Sequence, residues 1–182
     1  HKASHLGHDC AAPKEVCTSL GRAAQWLIYR GFARPASVDD LLRVLEETEK
    51  AGLVHLCDNV LSEPAYICHC CGCCCTVLKN MRRTRKMGVH PSNYLPAVDR
   101  ETCIGCGTCA EACQIDAITI TAGEDGNELP VIDQSFCIGC GVCVANCPTG
   151  ALALTRRPTI YTPPATRREL FNRLAKEREK TL

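Results

Sequence analysis

CIGCGTCAEACQ, residues 103–114, returns 34 positions later as CIGCGVCVANCP, residues 137–148. Each copy spaces its cysteines C-x2-C-x2-C-x3-C, which accounts for eight of the 17 cysteines in this 182-residue chain. So high a thiol density means disulfides or metal. Bridging needs Cα atoms several ångströms apart with converging side chains. A run such as Cys73, Cys74, Cys75 meets that condition badly. Metal coordination in a reducing compartment fits better.

The doubled run resembles a bacterial-type dicluster 2[4Fe-4S] ferredoxin domain, in which the fourth cysteine of each run serves the other cluster. The resemblance implies one cluster on Cys103, Cys106, Cys109 and Cys147, and a second on Cys137, Cys140, Cys143 and Cys113. Three cysteines at x2 intervals would wrap a loop around three iron corners, with the intervening glycines letting the backbone approach the sulfides. Strands are expected at 117–121 and 151–155, with 131–133 pairing across the AGEDGNE turn. The fold class expected is α+β: a ferredoxin-like dicluster domain with a pseudo-twofold βαβ repeat, an N-terminal α-helical Cys-rich domain and a C-terminal helical tail. The corresponding divisions are 1–90, 91–155 and 156–182. One position departs from the family: Gln114 stands where proline is usual, whereas the second copy has Pro148. Zinc fits these eight cysteines poorly, because four-cysteine zinc sites pair two CxxC knuckles rather than tandem triplets.

Nine cysteines remain: Cys10, Cys17, Cys57, Cys68, Cys70, Cys71, Cys73, Cys74 and Cys75. Six fall in the octet CHCCGCCC, residues 68–75. Neighbouring side chains of an extended stretch point to opposite faces, so Cys73, Cys74 and Cys75 are not expected to grip one small cluster. The octet is either a shared wall between two metal centres or a collar around one larger centre. Cys10 and Cys17 would close such sites from the other side, Cys17 from the first turns of a helix whose dipole favours a thiolate. Cys57 is either a ligand or a small buried apolar residue. His69 could replace a thiolate, but the favoured expectation is that it points away from the metal or bonds to a sulfur. His5, His8 and His55 are weaker candidates. This half is also similar to a helical Cys-rich region that precedes a dicluster module in anaerobe iron-sulfur proteins, through GLVH at 52–55, Asn59 and the octet.

Elsewhere, Val16, Leu20, Ala23, Ala24 and Leu27 after Pro13 predict a helix running to Gly31. Ser37 with Asp40 is a capping-box start for a second helix, ended by Gly52. A basic helix is expected over 76–87, HPSNYLP reads as a linker, and 166–180 reads as a helix carrying Leu170, Phe171 and Leu174 on one side. Charge is unevenly placed: residues 97–154 hold 1 basic and 8 acidic side chains, whereas 156–182 hold 8 and 3. That pattern favours protein docking, and few aromatics and no nucleic-acid motif argue against nucleic-acid binding. No run approaches a membrane span. The chain begins HKASHLGHDC without methionine, so further sequence, with further ligands, is expected upstream.

The function expected is electron transfer: single electrons relayed through two [4Fe-4S] clusters and one or two further N-terminal iron-sulfur centres to a cytoplasmic oxidoreductase partner in anaerobic metabolism. The alternative is a redox enzyme subunit whose octet builds an unusual substrate-binding cluster, and a third reading makes the N-terminal half a zinc-held interaction module. There is no nucleotide loop, nucleophile motif or paired-carboxylate setting to support catalysis.

Overall fold

The computed structural model describes residue 7, residues 10–123 and residues 126–179; His5 and His8 lie outside the described residues. Strands and helices are mixed throughout. The N-terminal half, expected to be helical, contains a three-stranded antiparallel sheet in the order β1-β3-β2, formed by Thr18–Ser19 (β1), Val54–Cys57 (β2) and Tyr66–Cys70 (β3). The helix expected from Pro13 starts at Gly21 and runs to Tyr29 (α1). The preceding residues are spent on the sheet: Thr18 pairs with Ile67, Ser19 with Tyr66, and the Leu20 N–H donates to the Ala65 carbonyl. Val16 lies buried in the irregular segment before β1 and not on a helix.

The second helix, Val38–Lys50 (α2), follows the expectation closely. The Ser37 hydroxyl accepts the Asp40 N–H while the Asp40 carboxylate accepts the Ser37 N–H, so two of the unpaired donors of the first turn are satisfied. The basic helix spans Thr76–Thr84 (α3), shorter than expected, and closes on Arg85 in the left-handed region at φ 54°.

Two antiparallel ribbons form the second half. Tyr94–Val98 (β4) pairs with Leu152–Arg156 (β7), and Ile118–Ala122 (β5) with Glu128–Ile132 (β6). Short helices at Thr108–Glu111 (α4) and Val142–Ala145 (α5) each begin one residue before the third cysteine of a run. Part of HPSNYLP is therefore strand and not linker. Pro130 sits opposite Ile120 in a two-stranded ribbon, where a missing N–H is tolerated.

One apolar core joins the halves. Val54, Leu78 and Met81 pack with Ile115, Ala117, Phe136, Ile138 and Val142, all buried. At about 25 cal/mol per Å² of apolar surface removed from water, this shared burial holds the two halves together. The oppositely charged segments also meet within the chain: Arg82 pairs with Asp116 and Arg85 with Asp133, both at 2.9 Å.

After β7 the chain runs back as a strap. Asn93 donates to the Tyr161 carbonyl at 2.9 Å, Leu61 N–H to the Pro164 carbonyl at 3.0 Å and Ser62 N–H to the Ala165 carbonyl at 3.1 Å. Arg167 then reaches the buried Asp58 at 3.7 Å. The last helix, Arg167–Glu179 (α6), buries no residue, and Phe171 is 64% exposed. Among the described residues no helix is long and apolar enough to cross a membrane.

Candidate metal centres

Each cysteine run is positioned by a tight turn pressed against a strand. At Gly105, φ is 68° and a Cβ would lie 2.5 Å from the Glu128 carbonyl oxygen of β6. At Gly139 the equivalent Cβ would collide with the Tyr94 carbonyl of β4. Only glycine fits either place.

Cys103, Cys106, Cys109 and Cys147 line one cavity, closed by Ile120 and Leu152. Three of them come from the first run and the fourth from the end of the second. The other four lie close enough to influence one another electrostatically: Cys113 acts on Cys137, Cys140 and Cys143. Burial pushes the Cys143 thiol up to about 12, so it would stay neutral unless a metal ion balanced its charge. Backbone donors face two of the sulfurs, Ala117 N–H at 3.2 Å from Cys113 Sγ and Gly139 N–H at 3.4 Å from Cys137 Sγ. Such donors disperse negative charge from a ligand sulfur.

Residues 102–151 match the family of 4Fe-4S dicluster domains. This segment is a 4Fe-4S dicluster domain. A comparison with curated proteins finds no match to the chain. The donor set of the dicluster domain fits its cofactor: two groups of soft thiolates, one lining a small cavity, each presented by glycine turns.

The nine remaining cysteines are sorted by the N-terminal sheet. In β3, Cys68 and Cys70 share one face while His69 takes the other. Cys68 stands opposite Leu56 and Cys70 opposite Val54, on the face from which Cys75 approaches. The Cys70 thiol is held well above its usual range, first by its hydrogen bond to Cys75 and then by burial. Burial also raises Cys68, and the neighbouring Cys17 and Cys75 add to it. Cys68, Cys70 and Cys75 are thus neighbours, and Cys17 lies within electrostatic reach of Cys68. Cys17 reaches this group from the extended segment before β1 and not from a helix N-terminus, which corrects the expected helix-dipole role.

A second group forms on the far side of the octet. Cys10, Cys71, Cys73 and Cys74 place their sulfurs within 4.8 Å of one another. Cys71 and Cys74 are buried, against Leu53 and the partly buried Ala12. The Ala12 N–H draws the Cys10 thiol below its usual range.

Cys57 lies within electrostatic reach of Cys68 but on the other face of the sheet. It pairs with Ile67, so it lies on the His69 face of the sheet, opposite to Cys68 and Cys70, and is exposed. His69 is buried and turned from both groups: its Nδ1 meets the Thr48 hydroxyl at 3.1 Å and its Nε2 the Thr18 hydroxyl at 3.3 Å. Thr48 also meets His55 Nε2 at 3.0 Å, and burial together with His55 lowers the His69 pKa to about 4. Neutral His69 is a hydrogen-bonded core residue.

Sequence reasoning missed the contact that joins octet and dicluster domain. Gln114 Oε1 accepts the Gly72 N–H at 2.6 Å and Gln114 Nε2 donates to the Gly52 carbonyl at 2.9 Å. The replacement of proline by glutamine next to Cys113 was the available signal, but its partner is 42 residues away.

Proposed function

We propose that this chain is an iron-sulfur electron-transfer protein that passes single electrons between its N-terminal cysteine-rich half and an oxidoreductase partner, by way of the dicluster domain. Cys103, Cys106, Cys109 and Cys147 hold one [4Fe-4S] cluster, and Cys137, Cys140, Cys143 and Cys113 the other. Cys17, Cys68, Cys70 and Cys75 hold a third iron-sulfur centre. Bound at these sites, such clusters supply reversible one-electron chemistry with little rearrangement.

The observation that carries this reading is a shared core. Cys70 and Cys75 pack against the same apolar cluster as Cys113 and Cys137. Thiols of both groups thereby pack on one apolar cluster, and Gln114, the residue that follows Cys113, accepts the Gly72 N–H of the octet. The chain's own residues do three things here: the thiols bind, the apolar layer excludes water, and the N–H donors to Cys113 and Cys137 moderate charge at the sulfur. Orientation of His69 toward Thr48 and Thr18 leaves four-thiolate ligation at the third site, which favours a closed carrier centre over a substrate-binding one. The ferredoxin-like pseudo-twofold arrangement agrees with the two ribbons and two short helices. A cytoplasmic setting and an anaerobic oxidoreductase partner belong to the same proposal.

Anaerobic purification with iron and acid-labile sulfide analysis tests it. About twelve of each per chain are expected for three cubanes. About eight would confine the clusters to the dicluster domain and remove the relay, and a colourless, iron-free but folded chain would remove the function altogether.

A further inference from the structure

The four sulfurs of Cys10, Cys71, Cys73 and Cys74 are too close together for a cubane. Cys10 Sγ lies 3.8 Å from Cys71 Sγ and 3.6 Å from Cys73 Sγ, while Cys73 Sγ lies 3.3 Å from Cys71 Sγ and 3.6 Å from Cys74 Sγ. Sulfurs bound at about 2.3 Å around one tetrahedral ion stand about 3.8 Å from each other. The four corners of a [4Fe-4S] core would instead hold them about 6 Å apart. The distances also exceed a disulfide bond, about 2.05 Å, at every pair.

Consecutive thiols can converge here because residues 71–75 are coiled and not extended. The Cys75 N–H donates to the Cys71 carbonyl at 3.1 Å, closing a helical turn ahead of α3. Within that turn Cys71, Cys73 and Cys74 come round to one side, and Cys75, the N-cap of α3, is left to the other group. The fourth sulfur arrives from Cys10, 61 positions earlier than Cys71. With two of the four ligands buried and all four donors thiol, the site is closed and soft, the chemistry of zinc-class ions.

We infer that Cys10, Cys71, Cys73 and Cys74 form a separate mononuclear site for one zinc-class divalent ion, zinc or ferrous iron, bound tetrahedrally by four thiolates without inorganic sulfide. The ion ties the N-terminal segment to the octet turn, whose other face serves the Cys17, Cys68, Cys70 and Cys75 group. The assignment is independent of the electron-transfer reading, since it concerns none of the thiols used there.

The test uses the full chain, purified anaerobically, with Cys10→Ser and Cys73→Ser compared to wild type. Each variant is expected to lose about one metal ion per chain, zinc or iron, while acid-labile sulfide and the reduced-cluster paramagnetic signals stay at wild-type level. Loss of about four iron and four sulfide together, or no change in metal content, would overturn the inference. Because a variant could fail to fold, the wild-type chain is also produced in cobalt-supplemented medium. Intense visible bands of tetrahedral tetrathiolate cobalt are expected, and cobalt with an octahedral spectrum, or no cobalt uptake, would overturn it. Failure of the electron-transfer reading would look different, as missing cluster signals in a chain that still holds this ion.

Discussion

Gln114 grips the octet at Gly72 and the end of α2 at Gly52 with the two ends of one side-chain amide, at 2.6 and 2.9 Å. The approach is so close that a Cβ on residue 72 would lie 2.5 Å from the Gln114 carbonyl oxygen. Gln114→Pro, which copies the residue at Pro148 of the second run, removes both hydrogen bonds and leaves the N–H of the buried Gly72 without its acceptor. A cost of about 1–3 kcal/mol is expected, read as a lowered unfolding midpoint. Iron and sulfide of the dicluster domain should be unchanged, because Gln114 is not a thiol ligand.

Cys57 and Cys70 are both strand residues near the octet, yet they face opposite sides of the sheet. Cys57→Ser is expected to leave iron, sulfide and zinc contents at wild-type values. Cys70→Ser is expected to lose about four iron and four sulfide while the dicluster domain keeps its own. Parallel metal and sulfide analysis of the two variants checks this, and equal losses in both would contradict the sorting of the faces.

Arg85 links α3 to the dicluster domain by four contacts: an ion pair with Asp133 at 2.9 Å, hydrogen bonds to the Asp116 carbonyl at 2.9 Å and the Ile115 carbonyl at 3.5 Å, and a guanidinium 3.9 Å above the Phe136 ring. The ion pair is about half exposed and is screened by solvent and salt. Arg85→Ala is therefore expected to destabilise by about 1 kcal/mol, mostly through the ring contact and the carbonyl bonds. Denaturant unfolding at low and high salt checks this: Arg85→Lys should recover the small salt-dependent part and little of the rest.

Thr48 is fully buried and its hydroxyl serves both His55 and His69. Thr48→Val keeps the shape and removes the partner of two imidazoles, at an expected cost of about 1–3 kcal/mol. Thr48→Ser should be much milder. Thermal unfolding of the two variants provides the comparison.

The dicluster domain was legible because its ligands sit in fixed local spacing, and a doubled run of that kind leaves few other chemistries. The octet was legible only as metal-binding. Its division depends on two facts that six adjacent thiols do not reveal: the register of β2 against β3, which puts Cys57 and Cys68 on different faces, and the turn closed by Cys75 N–H on the Cys71 carbonyl. The early helix was mistaken for similar reasons. Val16 and Leu20 have helical spacing with Leu27, but pairing of Thr18 and Ser19 with β3 satisfies their backbone and delays the helix to Gly21. The capping box at Ser37 was clear because both of its partners lie within four residues. Charge asymmetry suggested docking to another protein, and part of it is met inside the chain by Arg82 and Arg85.

The strap that brings Pro164 and Ala165 to Leu61 and Ser62 has a consequence for biosynthesis. A ribosome delivers the octet long before the residues that clasp the loop between β2 and β3, so that loop and Asp58 stay unclasped while the dicluster domain is still being translated. Closure comes last, when the tail emerges and Arg167 meets Asp58. The fold thus has a built-in order, with the cysteines made first and the strap latched afterwards.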